Sequence, residues 1–483
     1  MAQKIDRTEA PSRPESGPLA RADGPWTDRV SFATEGSYAF RPRQIVCKGT
    51  EAAGAAAELI AKATDTDPLK PLEIFGEYLL VTAPEKVDVE NLVAQLREAG
   101  LSCEPNYVLF SHGDGSPTTP NDCWCGCCPA GGGAAANPFF ANSIEANPFF
   151  ANSVQANPFF ANPFFANPFF ANPFFANPFF ANPFFANSKE SGVQPSSAIP
   201  VPDFEGPTTP QIPENRSRVI ILDTGIAGPA DLPVMLNDAR YDGPDAGDID
   251  PADENDDKFL DPASGHGTFV AGIVEQLAPK QDVYVLSVLN SYGDGDVATI
   301  AARINQLLLA GLVDKNTIIN MSFGSYADED MELLIDVIAA VRKRDAVVVA
   351  SAGNDGTCRP SYPACLDDVI AVGSIEPKGR ALYSNHGPWV QACAPGSGLI
   401  SAFFKLFEGN LVAGPGAPDP DNFAEWAMWT GTSFAAPIVT AAIARHMALM
   451  RTDADTAAIR VVHSPGLARS PGVGTVVNLV PGM

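Results

Sequence analysis

The chain has 483 residues, 45% of them hydrophobic, which allows two or three domains with at least one sizeable core. It carries 57 acidic and 31 basic residues, and the net charge of −26 argues against nucleic acid or an anionic membrane surface as a partner. No stretch reaches the roughly 18 apolar residues of a membrane-spanning helix, so no transmembrane segment is expected.

The N-terminal segment, residues 1–40, is polar and rich in proline, and we expect it to be disordered. It lacks the apolar run of about 7–15 residues that a secretory signal peptide needs. The sequence therefore leaves two possibilities for the localisation of the chain, the cytoplasm or export by a non-standard route.

Residues 41–112 are expected to form a small α+β domain. Apolar and β-branched runs predict strand regions, and two segments with helical periodicity lie between them. In chain order the segments are QIVC (strand), EAAGAAAELIAKA (helix), LEIFGEYLLV (strand region), DVENLVAQLREAG (helix) and CEPNYVLF (strand).

Residues 113–200 are expected to be a low-complexity linker, because they contain no Lys or Arg before Lys189. The segment CWCGCC contains Cys123, Cys125, Cys127 and Cys128. It has one C-x-x-C pair but no second ligand pair at the spacing of a structural zinc site. We interpret it as a flexible, redox-sensitive or modified segment and assign no metal to the chain.

The unit ANPFF repeats, with two variants, from Ala136 to about Phe185. It resembles pentapeptide repeats, but proline removes a backbone donor in every unit, which argues against their β-helix. We interpret the repeat as an extended or turn-rich linker whose exposed phenylalanines need a partner.

Residues 201–483 have a different pattern, in which short β-branched runs alternate with longer segments of helical period. RVIILDTG, DVYVLSVL, TIINMSFG and AVVVASAGN are examples of the apolar runs. This alternation predicts βαβ crossovers and a parallel sheet covered by helices. Chemistry is then expected at the carboxyl ends of the strands.

Three residues in this region form the parts of a nucleophilic hydrolase. Asp223 follows the strand VIIL, while His266 and Ser433 each lie at the start of a predicted helix. A serine hydroxyl attacks well only when an imidazole takes its proton, and a carboxylate fixes the tautomer of that imidazole. Asn354 follows another strand and would donate to an oxyanion, a contribution of roughly 10²–10³ in rate.

The segments IILDTGI, GHGTFVAGIV, INMSFG, ASAGNDG and GTSFAAP resemble, in order, the diagnostic blocks of the subtilisin-like serine proteases. The resemblance implies a three-layer α/β fold with a mostly parallel central sheet. It implies that Asp223, His266 and Ser433 are the catalytic triad and that Asn354 is the oxyanion-hole side chain. It also implies cleavage of extended polypeptide, held as a strand between two protein strands, through an acyl-enzyme.

The residues that the resemblance assigns to substrate binding lie in three segments. They are Ser291, Tyr292 and Gly293, then Ser322, Phe323 and Gly324, and finally Ser351, Ala352 and Gly353. Two positions depart from the usual blocks of the family: Phe269 replaces the second histidine of GHGTH, and Phe434 replaces the methionine of GTSM.

The N-terminal α+β unit resembles the ferredoxin-like inhibitory propeptides of subtilases. This resemblance implies an intramolecular inhibitor and folding chaperone, and a zymogen that processes itself within the linker. In an alternative function, the ANPFF repeat carries the biological activity, either as a released peptide or as a binding array. The protease domain then serves only to process the precursor.

Two further features leave alternatives open. The acidic insert of residues 241–261 is expected to be a solvated loop, although its dense carboxylates would also suit calcium. Cys358 and Cys365 flank a short loop and are either a disulfide or two free thiols.

Overall fold

The structure is a computed structural model. It describes residues 30–33, 38–111, 217–241, 247–254, 256, 260–261, 263–327, 329–412, 419–423, 425–477 and 479. The expectations for residues 1–29, for CWCGCC and for the ANPFF repeat lie outside these described residues.

The N-terminal unit, residues 38–111, has the expected order of elements. Its strands and helices, with one short strand before them, are β1 (Ser31–Phe32), β2 (Ala39–Lys48), α1 (Thr50–Thr64), β3 (Leu72–Phe75), β4 (Tyr78–Thr82), α2 (Val89–Glu98) and β5 (Cys103–Ser111). The antiparallel sheet has the strand order β5-β2-β4-β3. Its core lies between one face of the sheet and the two helices, where the small side chains of Ala53 and Ala56 let α1 pack closely.

The C-terminal domain, residues 217–479, contains the remaining elements. The first half has β6 (Arg218–Asp223), β7 (Ile226–Ala227), β8 (Ile249–Asp250), α3 (His266–Leu277), β9 (Asp282–Ser287), β10 (Asp294–Asp296), α4 (Val297–Leu309), β11 (Thr317–Met321), β12 (Phe323–Gly324), α5 (Glu332–Arg342) and β13 (Val347–Ser351). The second half has β14 (Val369–Glu376), β15 (Gly379–Arg380), β16 (Ala392–Pro395), β17 (Leu399–Ala402), β18 (Phe407–Val412), β19 (Asp419–Phe423), β20 (Trp426–Trp429), α6 (Thr432–Met450), α7 (Ala454–Ala458), β21 (Arg469–Ser470) and β22 (Gly474–Val476).

The main sheet of this domain has the order β21-β22-β16-β14-β13-β11-β6-β9, with β15 paired to β14. Its pairings are parallel except those of β15 and β21. In β6, Val219 and Ile221 pack in the same core as α3 and α6, whereas Ile220 and Leu222 pack in the core that contains α4 and α5. Successive side chains of the strand therefore pack against helices on opposite faces of the sheet, which gives a three-layer α/β/α domain.

Helix α6 is the central helix of this domain. Among the described helices, it has the length and apolar composition that would also allow it to cross a membrane, but most of it is buried in the protein core. It brings the segment GTSFAAP against the ends of the central strands, since it packs on β13, β14 and β16.

The two units are joined through β5. Its C-terminal part leaves the N-terminal sheet and pairs antiparallel with β10 on one side and β12 on the other. Tyr107 and Leu109 of β5 lie in the same hydrophobic core as α4 and α5. One face of the N-terminal sheet therefore shares a hydrophobic core with the C-terminal domain, whereas its other face forms a separate core with α1 and α2.

Candidate active site

The three predicted catalytic residues come from three neighbouring elements. Asp223 ends the central strand β6, His266 begins α3 and Ser433 is the second residue of α6. Helices α3 and α6 pack against each other, which brings the imidazole and the hydroxyl to the same end of the sheet as the carboxylate. All three side chains are buried.

Asp223 and His266 form a direct pair. The distance from His266 Nδ1 to Asp223 Oδ1 is 2.6 Å, and Oδ1 also accepts the backbone N–H of Thr224 at 2.7 Å. A carboxylate on Nδ1 fixes the tautomer in which Nε2 accepts a proton. Nε2 is buried and has no hydrogen-bond partner among the described residues.

The Ser433 hydroxyl donates to the carbonyl oxygen of Ser322 at 3.1 Å. The hydroxyl of Ser322 in turn donates to the carbonyl oxygen of Ser433 at 2.8 Å. These two hydrogen bonds tie the start of α6 to the residue between β11 and β12.

Asn354 lies just beyond β13 and is fixed against the start of α6. Its Oδ1 accepts the backbone N–H and the hydroxyl of Thr432, both at 2.9 Å. Since the amide oxygen is used in this way, the NH₂ group is the end that can donate to a developing oxyanion. Gly353 N–H also donates to the Thr432 hydroxyl at 3.1 Å, which ties this loop to the residue before Ser433.

This arrangement, on this fold, coincides with a family match. The Peptidase_S8 profile, described as the subtilase family, matches residues 215–460, just over half of the chain. The chain belongs to the subtilase family. Asp223, His266, Ser433 and Asn354 all lie within the matched residues.

Individual relatives are moderately similar to this subtilase. Subtilisin DY of Bacillus licheniformis is 31% identical over 217 residues, 41% of this chain and 72% of that protein. Subtilisin Savinase of Lederbergia lenta is 28% identical over 237 residues, 47% of this chain and 74% of that protein. Among solved structures, a mutant of the protease domain of PatA has a TM-score of 0.43 at 23% identity, covering 56% of this chain and 95% of that one.

Other relatives are longer than the matched region. The chain spans 23% of the minor extracellular protease Epr of Bacillus subtilis and 50% of a thermostable alkaline protease of Halalkalibacterium halodurans.

Sequence reasoning missed Asp250, which connects the two sides of the Asp223–His266 pair. Asp250 Oδ2 accepts the hydroxyl of Thr224 at 2.5 Å and the N–H of Gly265 at 2.8 Å. The Thr224 hydroxyl also accepts the N–H of Gly267 at 3.0 Å. Burial raises the pKa of Asp250 well above its ordinary value. No pattern in the sequence distinguishes this aspartate from its acidic neighbours.

The expectation of a solvated acidic loop is wrong for three residues of the insert. Asp248, Asp250 and Asp261 are buried. Asp248 forms an ion pair with Arg303 of α4, and Asp261 accepts the N–H of Glu254 at 2.7 Å. Among the described residues, no group of three or more His, Cys, Asp or Glu side chains is placed to hold a metal ion.

The two departures from the family blocks form one packed group around His266. The rings of Phe269 and Phe434 are 4.6 Å apart between centroids. Trp429 contacts both, and the His266 ring lies 5.3 Å from Trp429 and 5.2 Å from Phe434. The two substitutions are therefore structurally coupled.

The predicted substrate-binding segments behave differently from one another. Gly293 O accepts the N–H of Ser111 at 2.8 Å, while Phe323 and Gly324 pair with the end of β5. Ser291 O accepts the N–H of Ala263, the Ser291 hydroxyl donates to Glu254, and the N–H of Tyr292 donates to Asn290. Ser351 is the last residue of β13, and Ala352 and Gly353 follow it. The side-chain NH₂ of Asn385 donates to Ala352 O at 2.8 Å, and its backbone N–H donates to Gly353 O at 2.9 Å.

The loop after Asn354 contains a polar group that sequence reasoning did not single out. The Tyr326 hydroxyl donates to Asp355 at 2.6 Å, and the Arg359 guanidinium lies 4.8 Å from the centre of the Tyr326 ring. In the same loop Cys365 is a free thiol, whereas Cys358 is disulfide-bonded. Cys358 and Cys365 therefore do not pair with each other.

Proposed function

We propose that this subtilase hydrolyses peptide bonds of extended polypeptide through an acyl-enzyme, and that it is made as a zymogen. One observation carries the proposal. The C-terminal residues of β5 lie as an extended strand between β10 and β12 and end at Ser111, which is paired with Phe323. Phe323 adjoins Ser322, whose carbonyl oxygen contacts the Ser433 hydroxyl. Extended backbone is therefore bound next to the nucleophile.

In the proposed mechanism Ser433 Oγ attacks the carbonyl carbon of the scissile bond while His266 Nε2 takes its proton. Asp223 holds the imidazole and stabilises its positive charge. The Asn354 amide and the backbone N–H of Ser433 donate to the oxyanion. His266 then gives the proton to the leaving amine, and water, activated by the same imidazole, releases the acyl group.

In the same proposal residues 41–112 are a propeptide that inhibits its own protease domain and assists its folding. The backbone edges that would hold a substrate are paired with β5, so a substrate strand cannot bind there at the same time. Residues 113–200 are a linker, and residues 201–483 form the catalytic domain. Because β5 runs towards Ser433, we expect the first self-cleavage shortly after Ser111.

The test compares the intact mass over time of the purified full-length chain and its Ser433→Ala variant. We expect the wild type to be cut at discrete sites between residues 111 and 217, first close to Ser111, and the variant to stay whole. Ser464→Ala, which removes a hydroxyl that bonds to the Ile459 carbonyl, is the matched control and should be cut like the wild type. If both the wild type and Ser433→Ala stay whole and neither hydrolyses unfolded casein, the proposal is wrong.

A further inference from the structure

Two cysteines of the N-terminal unit lie directly opposite each other on neighbouring strands. Cys47 of β2 and Cys103 of β5 are partners in the antiparallel register, and their sulfur atoms are 2.8 Å apart. Both are buried free thiols. They face the core between the sheet and helices α1 and α2.

The strand register allows a bond between them without a change of the backbone. The N–H of Lys48 donates to Ser102 O at 2.9 Å, which makes that neighbouring pair a hydrogen-bonded one. Cys47 and Cys103 therefore form a non-hydrogen-bonded pair, as do Ile45 and Pro105 two residues further along. Cα atoms in such pairs are about 4.5 Å apart, which is within the range of about 4.4–6.8 Å found for disulfides.

We propose that Cys47 and Cys103 are a thiol–disulfide modification site that strengthens the hold of the N-terminal unit on the active-site cleft. A small-molecule disulfide, such as oxidised glutathione, is the co-reactant. Two thiols and one disulfide give the Cys47–Cys103 disulfide and two small-molecule thiols, so two electrons and two protons pass to the co-reactant. The consequence for inhibition rests on the proposed function.

The reason lies in the position of β5. Cys103 begins the strand whose far end lies in the cleft, and Tyr107 and Leu109 in between are buried against the C-terminal domain. A unit of this size buries a small core and is marginally stable once it separates. A cross-link restricts its unfolded state and so favours the folded form that fits the cleft.

The chemistry also predicts when the bond forms. The hydrogen bond with Cys103, together with burial, raises the pKa of the Cys47 thiol far above its ordinary value. The thiolate is the reactive species, so exchange is slow in the docked unit. We expect oxidation to occur during folding or while the unit is open, and the finished disulfide to be protected from reductant until the unit opens.

The first experiment does not depend on protease activity. Full-length Ser433→Ala is unfolded, refolded in glutathione buffers of increasing oxidised fraction, and alkylated under denaturing conditions. After digestion, mass spectrometry should detect a peptide linked through Cys47 and Cys103 that is two hydrogens lighter than the two reduced peptides together. Cys393, a buried free thiol whose sulfur lies near the backbone oxygens of Gly474 and Thr475, serves as the internal control and should be alkylated throughout. Complete alkylation of Cys47 and Cys103 in the most oxidising buffer overturns the proposal.

The second experiment measures the lag before an active full-length chain hydrolyses a peptide substrate. The oxidised wild type should show a lag at least about tenfold longer than the reduced wild type. The redox ratio is the lag of the oxidised chain divided by the lag of the reduced chain. It should fall to about one in the double variant Cys47→Ala/Cys103→Ala and stay as in the wild type in Cys393→Ala. Reduction of the disulfide at Cys358 affects all three chains alike, so the ratios isolate the Cys47–Cys103 pair.

The proposal is overturned if the linked peptide forms but the wild type and the double variant have equal redox ratios. The two states of the wild type can be compared even if the double variant fails to fold. Absence of hydrolysis in every chain would instead contradict the proposed function, because the linked peptide is detected in Ser433→Ala.

Discussion

The imidazole of His266 is held by one polar and several aromatic contacts. Its Nδ1 lies 2.6 Å from Asp223, and its ring packs against Trp429 and Phe434. Phe269, one turn further along α3, packs against both of those rings. Because the group is closely packed and buried, a change at either phenylalanine alters the packing that supports the His266 imidazole.

This coupling predicts a non-additive pair of mutations. In the Ser433→Ala background, Phe269→Ala and Phe434→Ala should each lower the free energy of unfolding by roughly 3–5 kcal/mol. The free energy of unfolding of the double variant should fall by roughly 0.5–1.5 kcal/mol less than the sum of the two single losses. The reason is that the first truncation has already removed the contacts between the two rings. Urea unfolding followed by tryptophan fluorescence measures these values.

The control pair for this cycle is Phe269→Ala with Phe40→Ala, since Phe40 is buried in the separate core of the N-terminal unit. Those two losses should add. Additive losses for Phe269 and Phe434 as well would contradict the coupling.

At the scale of elements, the N-terminal unit caps two helices of the C-terminal domain. Glu104 of β5 accepts the N–H groups of Glu332 and Leu333, at the start of α5, at 2.9 and 3.1 Å. Asn106 accepts the N–H of Ala298, at the start of α4, at 3.1 Å. The first N–H groups of a helix have no partner within the helix, so β5 satisfies donors that would otherwise need water.

Glu104 gives this interface a dependence on pH. Burial raises its pKa from 4.5 to about 7, although the two N–H groups act in the opposite direction. A group whose pKa is raised on docking stabilises the docked state most below its ordinary pKa. Its contribution, roughly 3 kcal/mol for a shift of this size, is lost as the pH rises through about 7.

We therefore expect the melting temperature of full-length Ser433→Ala to fall, relative to the same chain with Glu104→Gln, between about pH 4.5 and 7. Glutamine keeps an acceptor for the helix N–H groups but does not titrate. Glu98→Gln, at an exposed position of α2, should leave the pH profile unchanged. Parallel profiles for the Glu104→Gln and Glu104 chains would show that this carboxyl does not control docking.

At the scale of the whole molecule, charge and apolar contacts act together at the interface. Arg41 bonds to Asp294 at 2.5 Å and to Asp296 at 3.0 Å, beside the strand edge that pairs with β5. Lys48 and the Tyr78 hydroxyl both contact Asp336 of α5. Two cations of the N-terminal unit, Arg41 and Lys48, thus contact carboxylates of the C-terminal domain beside the core that the two units share.

All the residues proposed to act in catalysis lie in the described domains. We therefore expect that the ANPFF repeat is not needed for peptide hydrolysis. Deletion of residues 130–187 should leave hydrolysis of unfolded casein within about twofold of the wild type, after correction for the fraction of active sites. The same deletion in the Ser433→Ala background is the control and should be inactive. A folded deletion variant without activity would assign the repeat a part in catalysis. Retained hydrolysis with loss of the biological effect would favour the alternative in which the repeat is the working part.

The sequence by itself predicted the main α/β architecture, and it predicts that Asp223, His266 and Ser433 act as a catalytic triad. Alternating β-branched runs and helical periods are local patterns, so they indicate βαβ units without knowledge of contacts. The positions of Asp223 after a strand, and of His266 and Ser433 at helix starts, are local too. In a parallel sheet such positions meet at one edge, and the resemblance to the family blocks then indicated a serine protease.

Only the tertiary structure decided which distant residues support that site. Asp250 looked like a solvated carboxylate, yet it is buried where it bonds to residues on both sides of the Asp223–His266 pair. Phe269 and Phe434 looked like unrelated departures until α3 and α6 packed together. Cys47 and Cys103 are separated by 56 positions and meet only because β2 and β5 pair in one register. Periodicity reports how each segment is buried, whereas these contacts depend on how segments far apart in the chain pack against one another.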